Sequence, residues 1–135
     1  MKAWQKIALA GMAALATATA HAGKPETTPS GLIYESIKDG AGAQATAEAS
    51  VQVHYRGTLA DGKEFDSSYK RGEPATFPLK GVIPCWTEGV SKMREGGKAK
   101  LTCPPAIAYG ARGAGAAVPP NATLTFEVEL LKVMR

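Results

Sequence analysis

The 135-residue sequence has few of the residues that covalent or metal-dependent catalysis requires. It contains only two histidines and two cysteines. It has no G-x-S-x-G motif, no P-loop and no dinucleotide-binding glycine fingerprint. One histidine, His21, lies in the leader described below, and His54 occupies an outward position in an alternating segment without an obvious partner. The sequence therefore argues against triad hydrolases, nucleotide-binding enzymes and metalloenzymes, and we expect no cofactor.

Clustered charge and internal repeats are also absent. The chain has 16 Lys and Arg against 12 Asp and Glu, for a formal net charge of +4, and the basic residues are interleaved with acidic ones. A nucleic-acid-binding domain usually concentrates its basic residues on one face or helix. We therefore expect no nucleic-acid partner.

The first 22 residues have the pattern of a secretory signal peptide. Lys2 and Lys6 form a positive n-region before an apolar run over residues 7–15, and residues 20–22, Ala-His-Ala, form a small-x-small cleavage signal. The run is shorter than the about 20 residues that a transmembrane helix needs, and no cysteine at the cleavage point could carry a lipid. We expect export without a membrane anchor, to a periplasm or into the medium.

After the leader, we expect residues 23–31 to be a flexible segment and residues 32–135 to form a single domain. The short lead-in is too small for a dimerisation domain, so we expect a monomer. Both cysteines, Cys85 and Cys103, lie in the domain. In an exported protein, such a pair favours a structural disulfide over a metal site, and a redox switch is the alternative.

The hydrophobic pattern predicts an antiparallel sheet. Apolar and polar side chains alternate most clearly over residues 50–59, where Val51, Val53 and Tyr55 share one face. A turn at Asp61-Gly62 is typical of a hairpin. The segments expected to be strands are 32–38, 50–59, 63–67, 98–103 and 123–130.

One short helix is predicted to cover this sheet. Pro84 suits a first helical turn, Trp86, Val90 and Met93 follow at helical spacing, and Gly96-Gly97 should end the helix. Residues 68–74 and the long segment 104–120 are expected to be loops, and loops as long as the second are usually functional. The pattern therefore predicts an α+β domain.

A set of aromatic and aliphatic residues is expected to face the helix-covered side of the sheet. Such residues most often fill a core, and the pattern alone leaves open whether they also line a pocket. The set consists of Tyr55, Phe65, Phe77, Val82, Ile83, Trp86, Tyr109 and Phe126.

Four stretches of the sequence resemble the FKBP-type peptidyl-prolyl cis-trans isomerases. They are VHYRGTLADGKEFDSS (53–68), VIPCWTEGVSKMREGGKAKLT (82–102), IAYG (107–110) and PPNATLTFEVELL (119–131). They occur in the family's order and extend the resemblance over about residues 31–133. The resemblance implies a twisted antiparallel sheet, a half-barrel, wrapped around one short helix. It also implies an isomerase that assists the folding of exported proteins by accelerating rotation about Xaa–Pro bonds.

The resemblance implies a catalytic group and a set of substrate-binding residues in a pocket between helix and sheet. Trp86 would form the floor, Asp66 a polar rim beside Tyr55, and Tyr109 would direct its hydroxyl at a bound carbonyl. The Ile83 backbone N–H would be a second donor. The residues implied to bind substrate are Phe65, Phe77, Val82, Ile83, Val118, Phe126 and Arg71.

Proline-containing polypeptides are the implied substrates, and FK506- and rapamycin-type macrolides are implied ligands. Ala75, Ala114 and Ala117 are smaller than the residues common at these positions in strong macrolide binders, which leaves the affinity open. The alternative function is a module that binds proline-containing segments without turnover. The presence of both Asp66 and Tyr109 favours the enzyme.

Overall fold

The computed structural model describes residues 24–134, so the predicted signal peptide lies outside the described residues. These residues form a seven-stranded sheet that is not closed, with two short helices and two 3-10 turns, which confirms the predicted α+β class. The strands are β1 (Glu26–Thr27), β2 (Ile33–Lys38), β3 (Ser50–Leu59), β4 (Glu64–Ser67), β5 (Ala75–Pro78), β6 (Lys98–Cys103) and β7 (Leu124–Met134). The helices are α1 (Ser68–Arg71) and α2 (Pro84–Val90), and the 3-10 turns are Leu79–Gly81 and Pro105–Ile107.

Every strand pairing in the sheet is antiparallel. The strand order is β1-β2-β6-β7-β3-β4, and β5 pairs with the first half of β3. The longest ladder joins β3 to β7, from Ser50 opposite Met134 to Leu59 opposite Leu124. The alternation read from the sequence matches the pleat, because Val51, Val53 and Tyr55 are all buried.

Helix α2 packs against the inner face of the sheet but ends earlier than predicted. It begins with Pro84 and ends at Val90, well before Gly96. After Val90 the chain tightens, because the N–H groups of Lys92 and Met93 bond to carbonyls three residues earlier. Met93 is still buried, at 3% exposure. The apolar spacing therefore identified a buried stripe correctly but overestimated the length of the helix.

Two segments expected to lack regular structure are ordered. Within residues 23–31, which were predicted to be flexible, β1 pairs with β2, and the Thr28 N–H donates to the Leu32 carbonyl at 2.9 Å. Residues 68–71 form α1 rather than a loop. The hydrophobic pattern does not report the cause in either segment, which is a two-residue backbone pairing for β1 and the caps at Ser67 and Gly72 for α1.

The two cysteines form a disulfide, as predicted from the sequence. The Cys85–Cys103 bond joins the first turn of α2 to the end of β6, and both residues are fully buried. The bond thus anchors the residue next to Trp86 to the central part of the sheet. Among residues 24–134, no helix is long and apolar enough to cross a membrane.

Candidate active site

A cavity of about 440 Å³ opens between α2 and the inner face of the sheet. Strands β3, β4, β5 and β7, the start of α2 and the long loop before β7 all contribute to it. Its lining is mostly aromatic and aliphatic, with one carboxylate. The lining residues are Tyr55, Phe65, Asp66, Phe77, Gly81, Val82, Ile83, Trp86, Tyr109 and Phe126.

Trp86 is the centre of an aromatic cluster at the floor of the cavity. Its ring meets those of Tyr55, Phe77 and Phe126 edge to face, with centroids 5.2, 5.5 and 5.4 Å away. Edge-to-face contacts are a favoured geometry for aromatic pairs. Trp86 is only 4% exposed, so it belongs to the hydrophobic core and lines the cavity at the same time. Its indole N–H has no hydrogen-bond partner among the described residues.

Gly57 allows two aromatic walls to come close to β3. A Cβ atom at this position would lie 2.7 Å from Cζ of Phe65 and 2.9 Å from Cε1 of Phe126, too close for real contacts. These two rings also contact each other edge to face at 5.6 Å. Gly57 and Gly81 were not predicted from the sequence. Gly57 could have been identified from its inward position in a predicted strand, because a glycine there often marks a place where another group approaches the backbone closely.

A three-way hydrogen-bonded group forms the polar rim. The Tyr55 hydroxyl donates to Oδ2 of Asp66 at 2.6 Å, and Arg71 donates to Oδ1 of Asp66 at 2.9 Å and to the Tyr55 hydroxyl at 3.0 Å. The Ser67 backbone N–H also donates to Oδ1 of Asp66. The Arg71 guanidinium carbon lies 5.7 Å from the Tyr55 ring centroid. The rim is therefore a fixed arrangement and not a pair of free charges.

These bonds determine the ionisation of the rim. Burial acts to raise the pKa of the Asp66 carboxyl, but the hydrogen bonds from Tyr55 and Arg71 and the charge of Arg71 outweigh it and hold the pKa below its usual value. Burial, followed by the hydrogen bond to Asp66, raises the pKa of the Tyr55 hydroxyl. At neutral pH the rim therefore contains an ionised Asp66, a cationic Arg71 and a neutral Tyr55.

Two further donors lie on residues that line the cavity. Tyr109 follows the second 3-10 turn, and its side chain is 41% exposed. Ile83 is the N-cap of α2, where its carbonyl accepts bonds from the N–H groups of Trp86 and Thr87. Neither the Tyr109 hydroxyl nor the Ile83 N–H is hydrogen-bonded to another of the described residues. Both remain able to donate to a bound peptide.

The structure brings together nearly all of the residues expected at the site. Arg71 reaches the rim through its hydrogen bonds rather than by lining the cavity. Val118 is the exception, because it is 3% exposed, belongs to the core cluster and does not line the cavity. Two backbone hydrogen bonds between Ala114 and Val118 turn the long loop back on itself. Val118, which was expected to form a wall, thus lies in the core cluster and outside the cavity lining.

Comparison with known proteins identifies the family to which the chain belongs. The family model described as FKBP-type peptidyl-prolyl cis-trans isomerase matches residues 42–131. The chain is also 51% identical over 105 residues to an FK506-binding protein of Neisseria meningitidis, with 76% of this chain and 96% of that protein covered. The chain belongs to the FKBP-type peptidyl-prolyl cis-trans isomerase family.

Larger members of the FKBP family also match the chain. It is 52% identical over 108 residues to the FKBP-type peptidyl-prolyl cis-trans isomerase FkpA of Escherichia coli, with 80% of this chain and 40% of that protein covered. The crystal structure of FkpA from Escherichia coli gives a TM-score of 0.80 at 46% identity, over 93% of this chain and 58% of that chain. The chain thus spans about two fifths of the length of the FkpA proteins.

Proposed function

We propose that this domain is a peptidyl-prolyl cis-trans isomerase that acts on proline-containing polypeptides during the folding of exported proteins. The observation that carries the proposal is the aromatic cavity over Trp86, whose border includes an ionised rim and two free donors. The family membership supports the same activity.

The chemistry of the reaction fits such a site. Rotation about an Xaa–Pro bond has a barrier of about 18–20 kcal/mol because the C–N bond has partial double-bond character. No bond is broken, so neither a nucleophile nor a cofactor is needed. The twisted amide is less polar than the planar amide, so a cavity walled by aromatic rings stabilises it relative to the ground state. Each 1.36 kcal/mol of this preference increases the rate about tenfold.

The polar groups hold the peptide rather than react with it. We assign the Tyr109 hydroxyl and the Ile83 N–H to the carbonyl groups that flank the proline, which would fix the peptide in a turned conformation. The Asp66 carboxylate, held by Tyr55 and Arg71, would face the rotating amide from the rim. The proline ring would lie on Trp86, between Phe65, Phe126, Val82 and Phe77.

The test is the rate of cis-to-trans relaxation of a short Xaa–Pro peptide at trace concentrations of the mature protein. We expect a rate that rises linearly with enzyme and falls at least tenfold in Asp66→Val and Tyr109→Phe. Tyr34→Phe is the matched control, because Tyr34 does not line the cavity. A folded protein that binds the peptide without acceleration would overturn the proposal in favour of a binding module.

We further propose that the domain is exported and that FK506-type macrolides enter the same cavity. A buried disulfide supports export, since such bonds persist mainly in oxidising compartments. Trp86 fluorescence should change on titration with the macrolide, and calorimetry should show weaker binding in Trp86→Leu, which lacks this fluorophore. Expression of the full chain in a bacterial host should yield a product whose first residue is Gly23. An unprocessed product would contradict the signal-peptide assignment.

A further inference from the structure

Helix α1 is connected to the sheet through each of its four residues. Lys70 forms an ion pair with Glu64 at 3.3 Å, and Arg71 reaches the rim. The Ser67 hydroxyl caps the start of the helix by accepting bonds from the N–H groups of Tyr69 and Lys70. Gly72, with φ of 76°, ends it in the left-handed conformation. A helix of one turn has little stability of its own, so these contacts determine where Arg71 lies.

Ser68 is the buried connection between α1 and β3. It is fully buried, and its hydroxyl oxygen accepts the Tyr55 backbone N–H at 2.7 Å. The same oxygen lies 3.3 Å from the Tyr55 carbonyl and 2.9 Å from Nδ1 of His54. A hydroxyl has one donor and two acceptor positions, so these three neighbours use its full capacity. Ser68 thus holds the backbone of the residue whose side chain contacts Asp66.

His54 is more constrained than its outward position in the sequence suggested. Besides the Ser68 contact, its ring stacks on the Tyr69 ring, with centroids 4.7 Å apart and planes at 12°. The Tyr69 hydroxyl in turn donates to Oε1 of Glu129 at 3.4 Å, and Glu129 lies opposite His54 in the ladder between β3 and β7. The prediction that His54 has no partner is therefore wrong. His54 thus contacts α1 at two of its residues, Ser68 and Tyr69.

We propose that Ser68 and His54 are positioning residues for the isomerase: the His54–Ser68 pair holds α1 against β3 and thereby aligns Arg71 and Tyr55 on Asp66. This inference rests on the proposed function. Tyr55 comes from β3 and Arg71 from α1; Tyr55 donates to Oδ2 of Asp66 and Arg71 to Oδ1 of the same carboxylate. A shift between the two elements therefore lengthens at least one of these bonds. Ser68 and His54 hold the two elements together although neither residue lines the cavity.

The test compares a His54 variant that can bond at the position of Nδ1 with one that cannot, and adds a variant that removes the Ser68 hydroxyl. Asparagine places its amide where Nδ1 lies, whereas glutamine places it nearer to Nε2. We expect Ser68→Ala and His54→Gln to lower kcat/KM about tenfold, the rate equivalent of one buried hydrogen bond, and His54→Asn to retain most activity. Ser36→Ala, on β2 and outside the cavity, is the matched control.

A second readout does not depend on catalysis. The carboxyl carbon of Asp66, followed by NMR as the pH is lowered, reports the Tyr55 and Arg71 bonds that depress its pKa. The pKa should rise towards the ordinary value in Ser68→Ala and His54→Gln, but not in His54→Asn. An unchanged Asp66 pKa and kcat/KM in folded Ser68→Ala, despite a lower melting temperature, would overturn the inference.

The two readouts separate this inference from the proposed function. If the wild-type protein fails to accelerate the peptide, the isomerase proposal is overturned, and the Asp66 pKa still tests the positioning role. If Ser68→Ala does not fold, the comparison of His54→Gln with His54→Asn tests the inference. Equal Asp66 pKa values in His54→Gln and His54→Asn, both equal to that of the wild type, would then overturn the inference.

Discussion

Asp66 remains an acceptor beside an apolar cavity because its donors outweigh the effect of burial. Its two oxygens receive bonds from the Tyr55 hydroxyl, the Arg71 guanidinium and the Ser67 N–H. The bonds with Tyr55 and Asp66 also raise the pKa of Arg71. Each member of the rim thus maintains the protonation state that the others require. A single substitution should therefore affect all three.

The depressed pKa of Asp66 predicts a pH-dependent contribution to stability. Because the folded pKa lies below the ordinary 3.8, the stabilisation is present above that value and is lost as the pH falls through the folded pKa. The Asp66 side chain is 40% exposed, so solvent limits the effect to less than about 1 kcal/mol.

Urea unfolding at a series of acidic and neutral pH values measures this effect. The free energy of unfolding should fall less steeply with acid in Asp66→Asn than in the wild type. Asp61→Asn, at the exposed hairpin turn, should behave like the wild type. Equal slopes for the wild type and Asp66→Asn would show that the rim bonds do not stabilise the folded state.

Gly57 is the second residue whose substitution should alter the site. The Cβ of Gly57→Ala would overlap both Phe65 and Phe126, and overpacking of this kind costs about 1–3 kcal/mol. Because both rings border the cavity, we expect them to move into it and weaken peptide binding. Trp86 fluorescence during peptide titration measures the affinity. The double variant Gly57→Ala/Phe65→Leu should recover part of the binding, and a wild-type affinity in Gly57→Ala would contradict the argument.

At the level of elements, α2 depends on its connections more than on its own helical stability. It has seven residues and contains Gly89, whereas isolated helices shorter than about 12–15 residues are marginal in water. Packing of Trp86 and Val90 and the Cys85–Cys103 bond keep it in place. A Cβ on Gly89 would lie 2.8 Å from Leu101 on β6, so the helix also lies very close to the sheet.

Removing the disulfide should therefore destabilise the fold. The cysteines are 18 residues apart, and in the chain-entropy model a loop of this length contributes about 3 kcal/mol. We expect Cys85→Ala/Cys103→Ala to unfold at lower urea concentration by about this free energy. Native protein should also resist alkylation until it is unfolded and reduced. Two alkylated thiols without reductant would contradict the bond.

Individual elements show what the sequence can predict and what it cannot. Strands β3, β6 and β7 were predictable because alternation reports the pleat directly. Helix α1 and strand β1 were not, because α1 depends on capping and on contacts to β3, and β1 has only two residues paired with β2. The cavity walls came from the resemblance, whereas Gly57 acts through the absence of a side chain. Val118 was misplaced because a local turn of the loop decides its burial.

For the whole molecule, the topology places distant parts of the chain side by side. Strand β7, the last of the described strands, lies between β6 and β3, so the sheet is complete only when its final strand is in place. The Phe126 wall of the cavity comes from this strand and the Tyr55 wall from its neighbour β3. The site therefore forms only with the complete sheet, and we expect it to be lost in a single cooperative transition with the fold.

The edges of the sheet lead us to expect a monomer. One edge ends in the two-residue β1, and the other is formed by the four-residue strands β4 and β5, which pair with different parts of β3. Short edges of this kind discourage pairing between sheets. The exposed apolar side chains Ile33 and Ile37 on β2 are far too few for a stable interface, which buries about 1,200–2,000 Å².

Sedimentation equilibrium should give the monomer mass over a wide range of concentrations, for the wild type and for Ile33→Thr/Ile37→Thr alike. A mass that rises with concentration in the wild type alone would instead identify β2 as an interface.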